Sequence, residues 1–158
     1  MNFYISYPYM VRFMPKNAVP ISTMMYDPKW FHDFKGQNYH FKDQRGVWNG
    51  LRAEPLCPKA VHVIGEQMCG KDCKQELPCL FMKEYYKYLK TLDFLDIIVR
   101  ASLLAKKAVA PEDGEPFVVF LVNEPPYVKC AERPCLMKWF EEEGTPDERL
   151  REWQPDLC

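Results

Sequence analysis

An α/β domain with a small, partly parallel central sheet flanked by helices is the fold class predicted for this 158-residue sequence. Three observations point to it. Short β-rich runs open the chain, a continuous apolar run lies near its other end, and segments with helical spacing fill the interval.

Asn2 to Ser6 (NFYIS) and Val19 to Met24 (VPISTM) are rich in β-branched and aromatic residues. Pro15, Lys16 and Asn17 separate them, so they read as two core strands with a connection. From Tyr26 to Pro58 the chain is irregular, punctuated by Pro28, Gly36, Gly46, Gly50, Pro55 and Pro58 with aromatics between them. A long loop of this kind in a small domain is expected to serve function. Phe81, Tyr85, Tyr88, Leu89 and Leu92 then recur at helical spacing and predict a helix over Leu80 to Leu92. A second is expected over Asp93 to Lys107, with Leu95, Ile98, Val99 and Leu103 facing inward. Lys106 and Lys107 stand at its end, where the helix dipole favours cations.

Pro111 and Gly114 break the chain. Pro116 to Val122 (PFVVFLV) has the uninterrupted apolar character of a strand buried on both faces. Asn123 to Tyr127 forms the loop after it, and Arg133 to Glu143 predicts a third helix. Thr145-Pro146-Asp147-Glu148 is a capping box with proline in the first turn. It predicts a short acidic C-terminal helix or tail over 145–158, appended to a domain over 1–144.

Composition limits the function classes. Apolar residues make up 47% and aromatics 15%, enough for a real core. No apolar run reaches the roughly 18 residues that span a bilayer, so no membrane partner is expected. Met1 to Phe13 lacks a basic segment leading into a short apolar one, so a cytoplasmic location without a secretory signal is expected. There is no Walker-type loop, dinucleotide glycine fingerprint, G-x-S-x-G elbow or H-E-x-x-H. The common nucleotide hydrolases, dehydrogenases, serine hydrolases and zinc proteases are thereby set aside.

The net charge of −1 hides an asymmetry. Residues 1–56 carry seven basic side chains against four acidic ones, while residues 139–158 carry seven acidic against two basic. Twelve of the 23 aromatics lie in the first 50 residues. Rings can stack on bases while Lys and Arg neutralise phosphate, so this segment is either a nucleotide or nucleic-acid surface or ordinary core.

Chemistry-bearing residues follow the apolar strand: Asn123, Glu124, Cys130, Glu132 and Arg133. Ligands of open α/β sheets bind beyond the carboxyl ends of the strands, where the next helix offers its N-terminus to anions. Arg133 is therefore an anion-binding candidate, the alternative being an exposed ion pair with a neighbouring glutamate. Cys130 beside a helix start is a candidate nucleophile, with Glu124 as proton carrier. The alternative is an inert thiol, since His32, His40 and His62 all lie in the other half of the chain.

The seven cysteines are an odd count, and a core-sized chain without an export signal favours reduced thiols. No cofactor is the leading expectation. The alternative is a structural zinc on Cys69, Cys73 and Cys79, spaced C-x3-C-x5-C, with Cys57 or His62 as fourth ligand.

Several motifs in order resemble the domain of unknown function 488 family of small bacterial, archaeal and phage α/β proteins. They are the opening strand Phe3 to Tyr7, then Pro20-Ile21-Ser22 with Pro28-Lys29-Trp30-Phe31. Asn49-Gly50-Leu51-Arg52 with Pro55-Leu56-Cys57-Pro58, the helix Tyr85-Tyr86-Lys87-Tyr88-Leu89, and Val118 to Glu124 leading to Arg133 and Trp139 follow. The likeness spans roughly residues 2 to 143. Met24 and Met25 stand where family members carry Ser-Arg, and Ala131 and Glu132 stand at the Cys-His positions of a Cys-His-Arg tripeptide. Cys130 falls one residue early, Val122 replaces a strand cysteine, and the Cys-bearing insertion at 65–78 is atypical. The resemblance implies a small α/β fold and a divergent, phage-type member that keeps a pocket without the family's Cys-His pair.

The expected function is binding of a nucleotide-like or other anionic small ligand without catalysis, for example by a phage protein sequestering a signalling nucleotide. The expected pocket lies between the Ser22–Trp30 and Glu124–Arg133 loops. Ser22, Thr23, Lys29, Arg52, Asn123 and Arg133 would contact the ligand, and Trp30 would stack on it. One alternative is a cysteine-dependent enzyme acting on a nucleobase, nucleotide or DNA. The other is a protein-interaction module with a proline-rich, aromatic surface.

Overall fold

Four strands run in the same direction: β1 (Phe3–Ser6), β2 (Ala18–Ser22), β3 (Phe117–Leu121) and β4 (Leu150–Glu152). The computed structural model describes residues 1–31, 51–58 and 73–155. Within these the strand order is β2-β3-β1-β4, so the sheet is parallel throughout and not only in part. Among the described residues three α-helices accompany it: α1 (Leu80–Leu89), α2 (Phe94–Ala108) and α3 (Glu132–Glu143). No helix among the described residues is long and apolar enough to cross a membrane.

The apolar run places β3 at the centre, between β1 and β2, where Val118 to Leu121 are fully buried. β2 takes the edge and accommodates Pro20, whose missing N–H is tolerable there. Beyond β2, Ser22 bridges to Arg52: Ser22 N–H donates to Leu51 O (2.7 Å) and Ala53 N–H donates to Ser22 O (2.8 Å). Part of the irregular stretch is thus tied to the sheet, whereas residues 32–50 of it lie outside the described residues. Gly114, at φ 100°, turns the chain into β3 in a conformation that favours glycine.

An aromatic cluster joins sheet to helices. Phe3 stacks on Phe120 (6.4 Å between centroids) and tilts against Phe140 (6.0 Å), while Phe94 meets Trp139 edge-on at 5.0 Å. On α2 the inward stripe is Phe94, Ile97, Ile98, Ala101, Leu104 and Ala105. Only Ile98 of the four expected inward residues is buried; Leu95, Val99 and Leu103 are exposed. The helix begins one residue after its cap Asp93, whose side chain accepts Asp96 N–H, and Phe94 is drawn into the aromatic cluster. That anchor fixes the helix's rotation and turns the 95/99/103 stripe outward.

The C-terminal segment also corrects the sequence expectation. The Thr145–Glu148 capping box forms, but it opens only a single 3-10 turn (Pro146–Glu148) before the chain extends into β4. Leu150 is buried in register with Phe3, and Trp153 is buried beyond it, so pairing with β1 outweighs helix continuation. Residues 150–152 are therefore part of the sheet, not an appended tail.

Candidate functional site

Because all strands are parallel, Ser6, Ser22, Leu121 and Glu152 end at one edge of the sheet. The chain leaves β1 toward β2 and leaves β3 toward β4, in opposite directions across the sheet. α3 begins above this edge and brings Glu132 and Arg133, both 5% exposed, into it. Arg133 Nη1 donates to the backbone oxygen of Glu124 (2.6 Å), and Arg133 Nε lies 2.6 Å from Glu152 Oε1. The second contact is an ion pair by distance but is not aligned as a hydrogen bond. Arg133 Nη2, Glu124 Oε2, Glu152 Oε2 and Ser6 Oγ are all buried without a hydrogen-bond partner among the described residues. Such a concentration of orphaned polar atoms is rare in a settled core and common where a ligand or water completes the site.

The electrostatics follow from burial. Desolvation pushes the Glu132 carboxyl up to about 8, with the charge of Glu124 adding to it. Desolvation raises Glu124 and Glu152 as well, against the opposing pull of Arg133. It lowers Arg133, which the neighbouring carboxylates partly restore. At neutral pH Glu132 is thus largely protonated. Its Oε2 lies 3.4 Å from Thr23 Oγ1, which also donates to Leu121 O (2.9 Å).

A cavity of about 630 Å³ opens on the outer side of this cluster, between α1 and the start of α3. Leu77, Pro78, Met82, Pro126 and Val128 give it an apolar floor, and Lys83, Lys129, Arg133 and Lys138 supply cations. Among the described residues no carboxylate lines it. Tyr86 presents a ring there, with Lys138 Nζ 4.4 Å from its centroid, and its hydroxyl donates to Glu142.

The expected pocket is displaced from where it was sought. The loops after β2 and β3 do meet, through Thr23 N–H to Leu121 O (3.0 Å) and the Thr23–Glu132 contact. Yet Ser22, Thr23 and Arg52 are engaged in holding the backbone. Ser22 Oγ accepts Met24 N–H (3.1 Å), and Arg52 donates to Met24 O and pairs with Asp27 (2.7 Å) and Glu54 (2.9 Å). Burial alone would lower the Arg52 guanidinium, but those carboxylates raise it. Lys29 and Trp30 are exposed, and none of these five residues lines the 630 Å³ cavity. Asn123 is exposed and hydrogen-bonds the Glu124 carboxylate through its side chain. Arg133, expected on the surface if it were an ion-pair residue, is instead buried.

Cys130 is buried with its Sγ 3.1 Å from Cys79 Sγ. Of the zinc set expected from spacing, Cys73 and Cys79 are brought together, while Cys69 and His62 lie outside the described residues, as do His32 and His40. Cys57 sits elsewhere, its Sγ 3.5 Å from Met24 O. Sequence reading missed Lys83, Tyr86, Lys129, Lys138 and Glu152. Lys83 and Tyr86 stand three apart on one outward helical face, a signal available in the sequence; Glu152 was hidden because a three-residue strand carries no usable periodicity.

Compared with protein-family models, curated proteins and solved structures, the chain finds no match in any of the three. The likeness to the domain of unknown function 488 family therefore rests on the residues that suggested it.

Proposed function

We propose that this protein binds a small phosphorylated or carboxylated molecule with an apolar or aromatic body, of nucleotide-like size, in the cleft between α1 and α3. The observation that carries this reading is the buried guanidinium of Arg133, with Nη2 unpartnered, at the wall of an apolar cavity flanked by Lys83, Lys129 and Lys138. A cavity of this volume suits one drug-sized ligand, and its apolar floor suits a ring rather than a bare inorganic anion. The exposed lysines would steer an anion inward, and Arg133 would fix its orientation. Glu124 and Glu152 hold the guanidinium in place, so the positive charge offered to the ligand comes mainly from the lysines. A divergent member of the resembled family that retains its arginine but lacks the Cys-His pair fits a binding role.

The test is thermal-shift screening against nucleoside mono- and diphosphates, cyclic nucleotides, phenyl phosphate and inorganic phosphate. The expected result is stabilisation by at least one aromatic phosphate, weakened by salt and reduced about tenfold in affinity in a Lys83→Ala/Lys138→Ala variant. Both lysines are exposed, so this variant keeps the fold. No stabilisation by any probe, or an unchanged response in the double variant, overturns the reading.

A further inference from the structure

We propose that Cys73, Cys79 and Cys130 form a thiolate site for zinc, separate from the ligand cleft and independent of what that cleft holds. The Sγ atoms of all three lie within 4.8 Å of one another, and those of Cys79 and Cys130 are 3.1 Å apart. Zinc bound by sulfur at about 2.3 Å in a tetrahedron sets its sulfurs ~3.8 Å apart, so the cluster needs only small adjustments to accept the ion. Cys130 comes from a segment 51 positions away from Cys79, and the fold rather than local spacing assembles the trio. A disulfide would use two of these sulfurs and give the third no reason to be there; a soft metal uses all of them.

Cys79 is the N-cap residue of α1, and Cys130 immediately precedes Ala131, the N-cap of α3. Two helix N-termini thus converge on the sulfurs. A cavity of about 400 Å³, lined by Cys73 and Cys130 together with Gln75, Tyr127 and Lys129, gives the ion a way in. It also leaves room for a fourth ligand, water or an external donor. Binding exchanges three S–H bonds for three S–Zn bonds and releases three protons to solvent, with no change of oxidation state. The zinc–tris-thiolate unit carries one net negative charge, which Lys129 at the cavity wall offsets.

The site ties the segment entering α1 to the loop entering α3. Leu77, Val128 and Lys129 line both this cavity and the larger cleft, so the metal would hold the cleft's shared wall in place. The role of Cys130 is then ligation instead of nucleophilic attack.

The full chain purified without chelator is expected to contain one zinc per molecule by elemental analysis and native mass spectrometry. Replacement by cobalt(II) should give a sulfur-to-metal charge-transfer band. Cys130→Ser should lose that band, and Cys57→Ser, altered at a sulfur outside the cluster, should keep it. The parent chain alone also decides the matter, whatever the variants' stability. Failure of the reduced parent to take up zinc or cobalt, a Cys79–Cys130 disulfide in peptide mapping, or full metal retention by Cys130→Ser overturns the proposal.

Discussion

Arg133, at the start of α3, is held by Glu152, at the end of β4: Nε lies 2.6 Å from Oε1, with side-chain exposures of 7% and 23%. The three-residue edge strand therefore does more than extend the sheet. It delivers the counter-charge that lets an arginine remain buried beside the cleft. Removing one partner of a buried pair strands the other charge in a poorly solvated place. Glu152→Ala is expected to cost about 3 kcal/mol, while the double variant Glu152→Ala/Arg133→Met, which leaves no unpaired charge and keeps much of the volume, should cost clearly less. Urea denaturation of the two variants checks the order. Equal losses would show that Arg133 is not held by this pairing.

The buried carboxyls set the sign of the pH dependence. Glu124 and Glu152 are raised above 4.5 by desolvation, and Glu132, deeper, shares the sign. A carboxyl that binds its proton more tightly when folded contributes stability that is complete below its unfolded value and is lost as pH rises through its folded value. The thermal midpoint of the ligand-free protein should therefore fall between about pH 5 and pH 8. Glu124→Gln should flatten part of that slope. A midpoint that rises over the same interval would contradict the burial of these groups.

The rotation of α2 is testable by a pair of substitutions. Ile98 is 5% exposed, and Leu103 is 52% exposed. Ile98→Ala should cost about 2–4 kcal/mol, whereas Leu103→Gln should stay within about 0.5 kcal/mol. The helix as read from sequence alone would make both expensive. Chemical denaturation of the two variants distinguishes the orientations.

The elements themselves were largely legible in the sequence. PFVVFLV identified the central strand because a strand buried on both faces tolerates no polar alternation, and the structure places it between two neighbours. The spacing of Phe81, Tyr85, Tyr88, Leu89 and Leu92 identified α1 and most of its inner face, but the helix ends at Leu89, before Leu92, and Tyr88 is only partly buried. The inner face of α2 was misread because apolar residues lie nearly all round it, so periodicity offers two stripes and only packing against Trp139 and Phe140 selects one. β4 was missed because three residues after a sound capping box look like a helix until β1 is there to pair with them.

For the candidate site, sequence alone pointed to the segment after the last long strand and to Arg133 at a helix start beyond it. Those are local facts, carried by the order of residues along the chain. Tertiary structure alone decided that Arg133 would be buried against Glu152 and that the cleft would open toward α1 instead of Trp30. It also decided that Cys130 would join Cys73 and Cys79. Each of these joins segments far apart in the chain. Such encounters follow from how the whole sheet and its helices bury their apolar faces at once, which no single stretch of sequence encodes.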